Sequence, residues 1–465
     1  MYKLHLIRKY LVKRRIAWVA LIAVMLCTFM VLVVFSVMDG WLQTFEGTFH
    51  GMTSDVVVEA RNPLVGFPYY AEIIDRIQQK VPGVAAAVPV IKTGALININ
   101  GRVVNMVQVV GYPPDIGRVN DWPATLHGQA ADIAAGKPPS FDLLKDIHYD
   151  RLVRGKDAKN AVNRPGIIVT DPVVYIEHGD PPAAVAERRA DMVEFPCVLT
   201  LLPVAPGEKI DVTAVNSLAV WIVDDCKSRV YQLDAQNVYM GFAELQRQLK
   251  MGDSGDDPAR CTEILVKAKP GFDANAVRDQ VRRVANDVTA GHDAFDYYGY
   301  TVETWRDQQV DIISAVRNEV VLTTALFGVM SLVAVLLIFC IFYMIVIEKT
   351  KDIGVIKSVG ATGGGILALF LGYGLAIGIV GSGVGVLLAA VFVRYINELH
   401  TWLGQVTGLQ MWTPKTYQFD RIPNKLELQT VVVTVVVALM SAVLGALLPA
   451  VRAAGTNPVD SLRYE

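Results

Sequence analysis

Charged side chains are scarce here. Asp, Glu, Lys and Arg supply 19% of the 465 residues, against about 25% in soluble domains. The deficit is concentrated in four long apolar runs whose interiors carry no ionisable group. A proton- or ion-coupled transporter needs Asp, Glu, Lys or His along its pathway, so self-contained ion coupling is excluded. The chain also lacks G-x-x-x-x-G-K-[ST], and with it the usual phosphate cradle for ATP. H-E-x-x-H, C-x-x-C and G-x-S-x-G are absent too, which leaves no recognisable metallopeptidase, thiol-redox or serine-hydrolase centre. His148, His178 and His292 are scattered among loop-like residues and are not expected to ligate metal. Five cysteines are present. Cys27 and Cys340 fall in apolar runs; Cys197, Cys226 and Cys261 allow one disulfide with one thiol left over, and the spacing does not choose the pair.

What is present is apolar length. A membrane-spanning helix needs roughly 20 apolar residues to cross about 30 Å of hydrocarbon. The runs place spans at 16–38, 319–347, 364–393 and 429–450. The first exceeds a signal-peptide core of about 7 to 15 residues and is followed by no Ala-x-Ala site, so it reads as an anchor. Lys3, Arg8, Lys9, Lys13, Arg14 and Arg15 precede it without an acid. Basic residues near span ends mark the cytoplasmic side. Residues 1–15 are therefore expected inside, 39–318 outside, 348–363 inside, 394–428 outside and 451–465 inside. No nucleic-acid partner is expected.

Within 39–318 two stretches alternate as compact α/β units. The first reads SDVVVEA as a strand, an amphipathic helix over 71–80, then ALININ and VVNMVQVVGY paired around Asn100 and Gly101. The second reads TEILVKAK as a strand, a helix over 274–288 and a strand over 300–302. They are expected to form a base from about 55–120 and 260–305. A β-rich lobe over about 120–260, with runs such as GIIVT, FPCVLTLLPV, KIDVTAV and LAVWIVDD, is inserted between them.

In the third span Gly374, Gly378 and Ser382, with Gly381 and Gly385, put small residues at helical spacing. Such a face lets a neighbouring backbone approach closely. It predicts an interface within the bundle or with a second copy.

The short inner segment EKTKDIGVIKSVGATGGG spaces Ile353, Ile356 and Val359 helically, behind a polar first turn and ahead of glycines. Glu348, Lys349, Asp352, Ile353, Val355, Ile356, Lys357, Val359, Gly360 and Ala361 match the pattern E-[KR]-x-x-[DE]-I-x-[VI]-[LIM]-[KR]-x-[VLM]-G-A. This resembles the coupling segment of FtsX-like, or MacB-type, ABC permeases. The closing PAVRAAGTNPVDSLRYE is similar to that family's C-terminal pattern. RKYLVKRR and FSVMDGW around the first span, Thr304-Trp305 and YQFDRIP resemble its lipoprotein-releasing branch. The resemblance implies an α-helical membrane protein with four transmembrane helices in a 1+3 arrangement and a large α+β extracytoplasmic domain of MacB-like periplasmic type. It further implies a non-catalytic permease subunit in the cytoplasmic (inner) membrane, with ATP and Mg bound by separate ABC-type ATPase subunits. Expected contacts to that ATPase are Glu348, Lys349, Lys351, Asp352, Ile353, Ile356, Lys357 and Gly360. A second permease copy or related permease, the lipid bilayer and a lipoprotein or other periplasmic client complete the expected partners. Regulation of a cell-wall hydrolase and efflux of peptides or drugs are the alternatives within the family.

Overall fold

The computed structural model describes residues 15–99, 103–142, 164–174, 184, 187, 197–202, 215–228, 231–255, 258–292, 298–348, 350–407, 412 and 421–456. The Asn100-Gly101 turn, KIDVTAV up to residue 214, His148, His178 and Lys349 lie outside them. The chain divides into two units. One comprises Met1–Thr44, Ile312–Trp412 and Arg421–Glu465; the other comprises Phe45–Asp311 and Thr413–Asp420.

Among the described residues four helices are long and apolar enough to cross a membrane: α1 (Arg15–Met52), α6 (Val310–Glu348), α8 (Gly363–Arg394) and α10 (Leu428–Gly455), the shorter α9 (Ile396–Thr407) lying between the last two in sequence. Together with the large mixed α+β unit, they make the chain a multi-pass membrane protein with a large extracytoplasmic domain. Helix α1 runs 14 residues past the apolar run that ends at 38, about 20 Å further at 1.5 Å per residue. No proline interrupts it, and Phe45, Phe49 and Met52 find burial. Hydropathy sees only the lipid-soluble part of such a helix. Likewise α6 begins at Val310, ahead of the charge-free run.

The other unit is built on strands β1 (Val56–Ala60), β2 (Phe67–Pro68), β3 (Val84–Ile99), β4 (Val103–Tyr112), β5 (Gly166–Thr170), β6 (Cys197–Leu201), β7 (Asn216–Cys226), β8 (Asn237–Gly241), β9 (Arg260–Cys261), β10 (Glu263–Ala268) and β11 (Tyr300–Thr304). Its helices include α2 (Tyr70–Lys80), α3 (Phe242–Gln248), α4 (Ala274–Thr289) and α5 (Trp305–Gln308). Nine strands run in the order β11-β1-β10-β3-β4-β8-β5-β7-β6. The two sequence-distant α/β stretches thus share one sheet, with β1 antiparallel to both β10 and β11.

Strand β1 reads Val-Val-Val because both its faces are covered. Val56 and Val58 pack with Ile73, Ile77, Val277 and Val281 from α2 and α4, while Val57 packs on the opposite side with Val88, Trp122 and Leu265. The 16-residue β3 serves two neighbourhoods. Its first half pairs with β10, and its second half pairs with β4 and β6. The β3–β6 pairing closes β3-β4-β8-β5-β7-β6 into a ring, which removes exposed ladder edges there. Ile99 stands opposite Val103 across the turn.

The disulfide permitted by composition is not formed. All five cysteines are free; burial pushes the Cys197 thiol up to about 12 and raises Cys226 and Cys261. Such thiols are unreactive packing groups.

Candidate functional site

The inner segment folds as α7 (Thr350–Ser358), joined to α8 by a short elbow. Gly360 has φ +105°. Its N–H donates to the Lys357 carbonyl at 3.0 Å, and the Ala361 N–H donates to the Ile356 carbonyl at 3.1 Å. This pair of bonds is the Schellman arrangement, which needs a residue without Cβ at the reversal. Thr362 then caps α8, its hydroxyl accepting from the Gly365 N–H at 3.2 Å. Four residues, 359–362, therefore carry the chain from one helix end to the next with little freedom. Gly360→Ala is expected to cost about 1 kcal/mol of elbow stability, read as faster amide exchange at Ala361 in the folded protein.

One face of α7 is held. Ile353 is buried with Ile366, Phe370, Ala450 and Ala453. The Lys357 ammonium donates to the carbonyls of Ala454 (2.5 Å) and Thr456 (2.7 Å) at the C-terminal end of α10. A cation on the free carbonyls of a helix end also complements the helix dipole. Lys357, which the motif offers as a contact to a partner, is thus committed within the chain. The opposite face is open: Val355 and Val359 are exposed, Val359 by 84%. Glu348, Asp352 and Gly360 are exposed too, and Ile356 is half-buried. The side chain of Lys351, like Lys349, lies outside what is described.

Above this end the helices meet through small residues. A Cβ on Gly374 would stand 2.8 Å from the Ala446 Cβ, and one on Gly378 would stand 3.1 Å from the Ala442 Cβ, both on α10. Gly381 and Gly385 instead face α1, at Val24 and at the Met25 carbonyl (2.8 Å). Gly445 of α10 faces the Val335 carbonyl of α6 at 2.8 Å. Ser382 is buried. Helix α8 therefore presses on α10 with one set of small residues and on α1 with another. The alanines at 442, 446, 450 and 453 are all fully buried, and Ala442 and Ala446 belong to the α8 contact, not to the Gly445 contact with α6.

At the other end of this unit, Gly40 lies against the Pro423 carbonyl group, whose atoms would stand 3.0 Å from a Cβ. The Lys425 N–H donates to the Ser36 carbonyl at 3.2 Å, and the Asn424 side chain donates to the Val393 carbonyl at 2.7 Å. Gly40 of FSVMDGW and Pro423 of YQFDRIP, noted in separate segments of the sequence, are here in contact.

In the extracytoplasmic unit, His127 Nδ1 lies 2.7 Å from an Asp225 oxygen, and Asp171 offers an oxygen within 4.8 Å of both. The neighbouring Asp224 accepts from the Gly128 and Gln129 N–H groups at 2.6 and 3.1 Å. These acids hold the 127–129 loop onto β7. His292 stacks on Tyr69 at 3.9 Å and faces Glu72 at 3.2 Å.

Comparison with known proteins adds two family matches: the FtsX-like permease C-terminal over residues 324–458 and the MacB-like periplasmic core domain over residues 17–140. Among relatives, the lipoprotein-releasing system transmembrane protein LolC of Neisseria meningitidis is 22% identical over 84% of this chain and 80% of its own. Its namesake from Xylella fastidiosa is 24% identical over 36% of this chain, and the match spans only 40% of that relative's length. The crystal structure of the periplasmic region of MacB from Actinobacillus actinomycetemcomitans superposes with a TM-score of 0.29 at 9% identity, covering 57% of this chain and 94% of that one. That likeness is too low to bear on the fold.

Proposed function

We propose that this chain, whose segments match the FtsX-like permease C-terminal and the MacB-like periplasmic core domain, is a permease of that superfamily and the membrane subunit of an ABC-type mechanotransmission complex that releases lipoproteins from the outer leaflet of the cytoplasmic membrane. ATP, with Mg, is bound and hydrolysed by partner ATPase subunits. The observation that carries the reading is the two-sided α7: one face is locked to α8 and α10 while Val355 and Val359 face outward. Force applied to the outer face would pass through the Gly360 elbow into α8 and through the Lys357 latch into α10. Within this reading, Glu348, Asp352, Val355 and Val359 meet the ATPase, and the motif assigns Lys349 and Lys351 to the same contact. Lys357 transmits the push. A second permease, as copy or relative, completes the assembly, and the names of the LolC relatives support the lipoprotein client.

The double variant Val355→Glu/Val359→Glu tests this. It desolvates two charges against the partner and is expected to weaken ATPase association at least about tenfold, or about 1.4 kcal/mol, in co-purification and titration. Both sites are exposed, so the melting temperature should not move. Unchanged association would sink the docking assignment. ATP-dependent lipoprotein release from reconstituted vesicles decides the client.

A further inference from the structure

The apolar runs of three spans end in one layer. The Lys425 N–H bonds to the Ser36 carbonyl near the end of the α1 run, and the Asn424 side chain bonds to the Val393 carbonyl near the end of α8. Asp39, Arg394 and Glu427 are the first charges beyond the α1, α8 and α10 runs, so this layer is the outer rim of the hydrocarbon.

Helix α9 springs from that rim, with only Tyr395 between it and α8. Its first turn is tied to the returning chain: the Asn397 side chain donates to the Ile422 carbonyl at 3.1 Å and accepts from the Ile422 N–H at 2.9 Å. Further along, His400 Nε2 accepts from the Trp412 N–H at 3.1 Å. These bonds fix the rotation of α9 and turn a different side outward. At about 100° per residue, Tyr395, Leu399, Trp402 and Val406 fall within about 60° of one another around the axis. All four are exposed, Trp402 by 58% and Val406 by 64%.

The stripe does not begin in α9. Leu388 and Val391, exposed on the lipid-facing side of α8, lead into it with the same three- and four-residue steps. Glu398, Thr401 and Gln405, also exposed, lie off the stripe. An apolar stripe with a polar opposite side is the pattern of a helix lying in a membrane surface. Trp and Tyr are the side chains that gather at that depth.

We propose that α9 is an interfacial helix, seated in the outer surface of a glycerophospholipid bilayer with Tyr395, Leu399, Trp402 and Val406 among the upper acyl methylenes. Part of the 394–428 segment, which the charge pattern assigns to the exterior, thus returns to the membrane surface. Helix α8 is held at both ends, by the α7 elbow inside and by α9 outside. The contact is with the bulk bilayer and involves neither client nor ATPase, so it stands or falls apart from the proposed function.

The test uses the full chain in nanodiscs of phosphatidylethanolamine and phosphatidylglycerol. Nitroxides are placed in turn at Leu399→Cys, Thr401→Cys, Gln405→Cys and Val406→Cys in a Cys27→Ala/Cys340→Ala background, the other three thiols being buried. Collisions with oxygen, which concentrates in lipid, are compared with collisions with a water-soluble nickel chelate. The oxygen-to-nickel ratio is expected to be at least about threefold higher at 399 and 406 than at 401 and 405. Equal ratios at all four sites overturn the proposal. So does protection of 399 and 406 from both reagents, which would mean that another protein surface, such as a second copy, covers the stripe. Should the labels prevent folding, native Trp402 reports instead. Phospholipids brominated near the headgroup end of the acyl chain should quench the emission that Trp402→Phe removes, and unquenched Trp402 emission overturns the proposal.

Discussion

Gly445→Leu is expected to destabilise the helical bundle by about 3 kcal/mol or more, seen as a lower thermal midpoint for loss of helical circular dichroism in nanodiscs. The reason is where the new atoms go. A Cβ at this position would lie 2.8 Å from the Val335 carbonyl oxygen and 2.9 Å from the Ile338 Cβ. A flexible side chain could rotate away; a backbone carbonyl moves only if α6 moves. In lipid there is no hydrophobic drive to hold separated helices together, so close packing supplies much of their association. Gly385→Leu should behave similarly, because its Cβ would meet the Met25 carbonyl at 2.8 Å. Gly383→Leu, in open space, should leave the midpoint nearly unmoved. Equal midpoints for Gly445→Leu and wild type would show that the α6–α10 contact is not a tight one.

Lys92→Met should cost about 3 kcal/mol in the extracytoplasmic unit at neutral pH, the lower end for a broken buried ion pair. The Lys92 ammonium lies 2.8 Å from Glu263, whose side chain is 5% exposed. Burial pushes the Glu263 carboxyl above the usual range, and Lys92 pulls it part of the way back. Removing the lysine leaves burial unopposed. A carboxyl that holds its proton more tightly when folded contributes most stability below its unfolded value of about 4.3 and loses it as pH rises through the folded value. The variant's deficit should therefore be small near pH 4 and grow toward neutrality, measured by urea unfolding of the full chain followed through tryptophan fluorescence. Lys92→Met/Glu263→Met should recover most of the loss, since it buries no charge. A deficit that does not change with pH would mean that Lys92 acts through packing alone.

Much of this molecule is legible locally. The four apolar runs follow from the absence of charge over about 20 residues. The α2 and α4 helices begin and end within a residue or two of where their periodicity places them. That the inner helix ends at its glycines is legible by position; that Gly360 is the reversal and Thr362 the next cap came from the structure.

Roles that depend on a distant partner were not legible. Lys357 carries the same charge in the sequence as Lys349 and Lys351, yet it closes on α10 nearly a hundred residues away. The small residues of α8 predict close packing but not that Gly374 and Gly381 face different helices. The span lengths stop where hydropathy stops, while α1 and α6 continue as polar helix. His127, Asp171 and Asp225 are too far apart in the chain for spacing to join them. The thiols at 197, 226 and 261 could have been paired by composition, but the fold buries them separately.

The sequence by itself therefore determined which segments are long and apolar enough to cross a membrane, where basic residues gather beside them and which short segment matches the permease-like pattern, because each depends on properties of consecutive residues. Only the tertiary structure decided which face of α7 is locked and which is free, and which glycines separate which helices. Those depend on contacts across hundreds of residues, and one-dimensional pattern carries no distance between them.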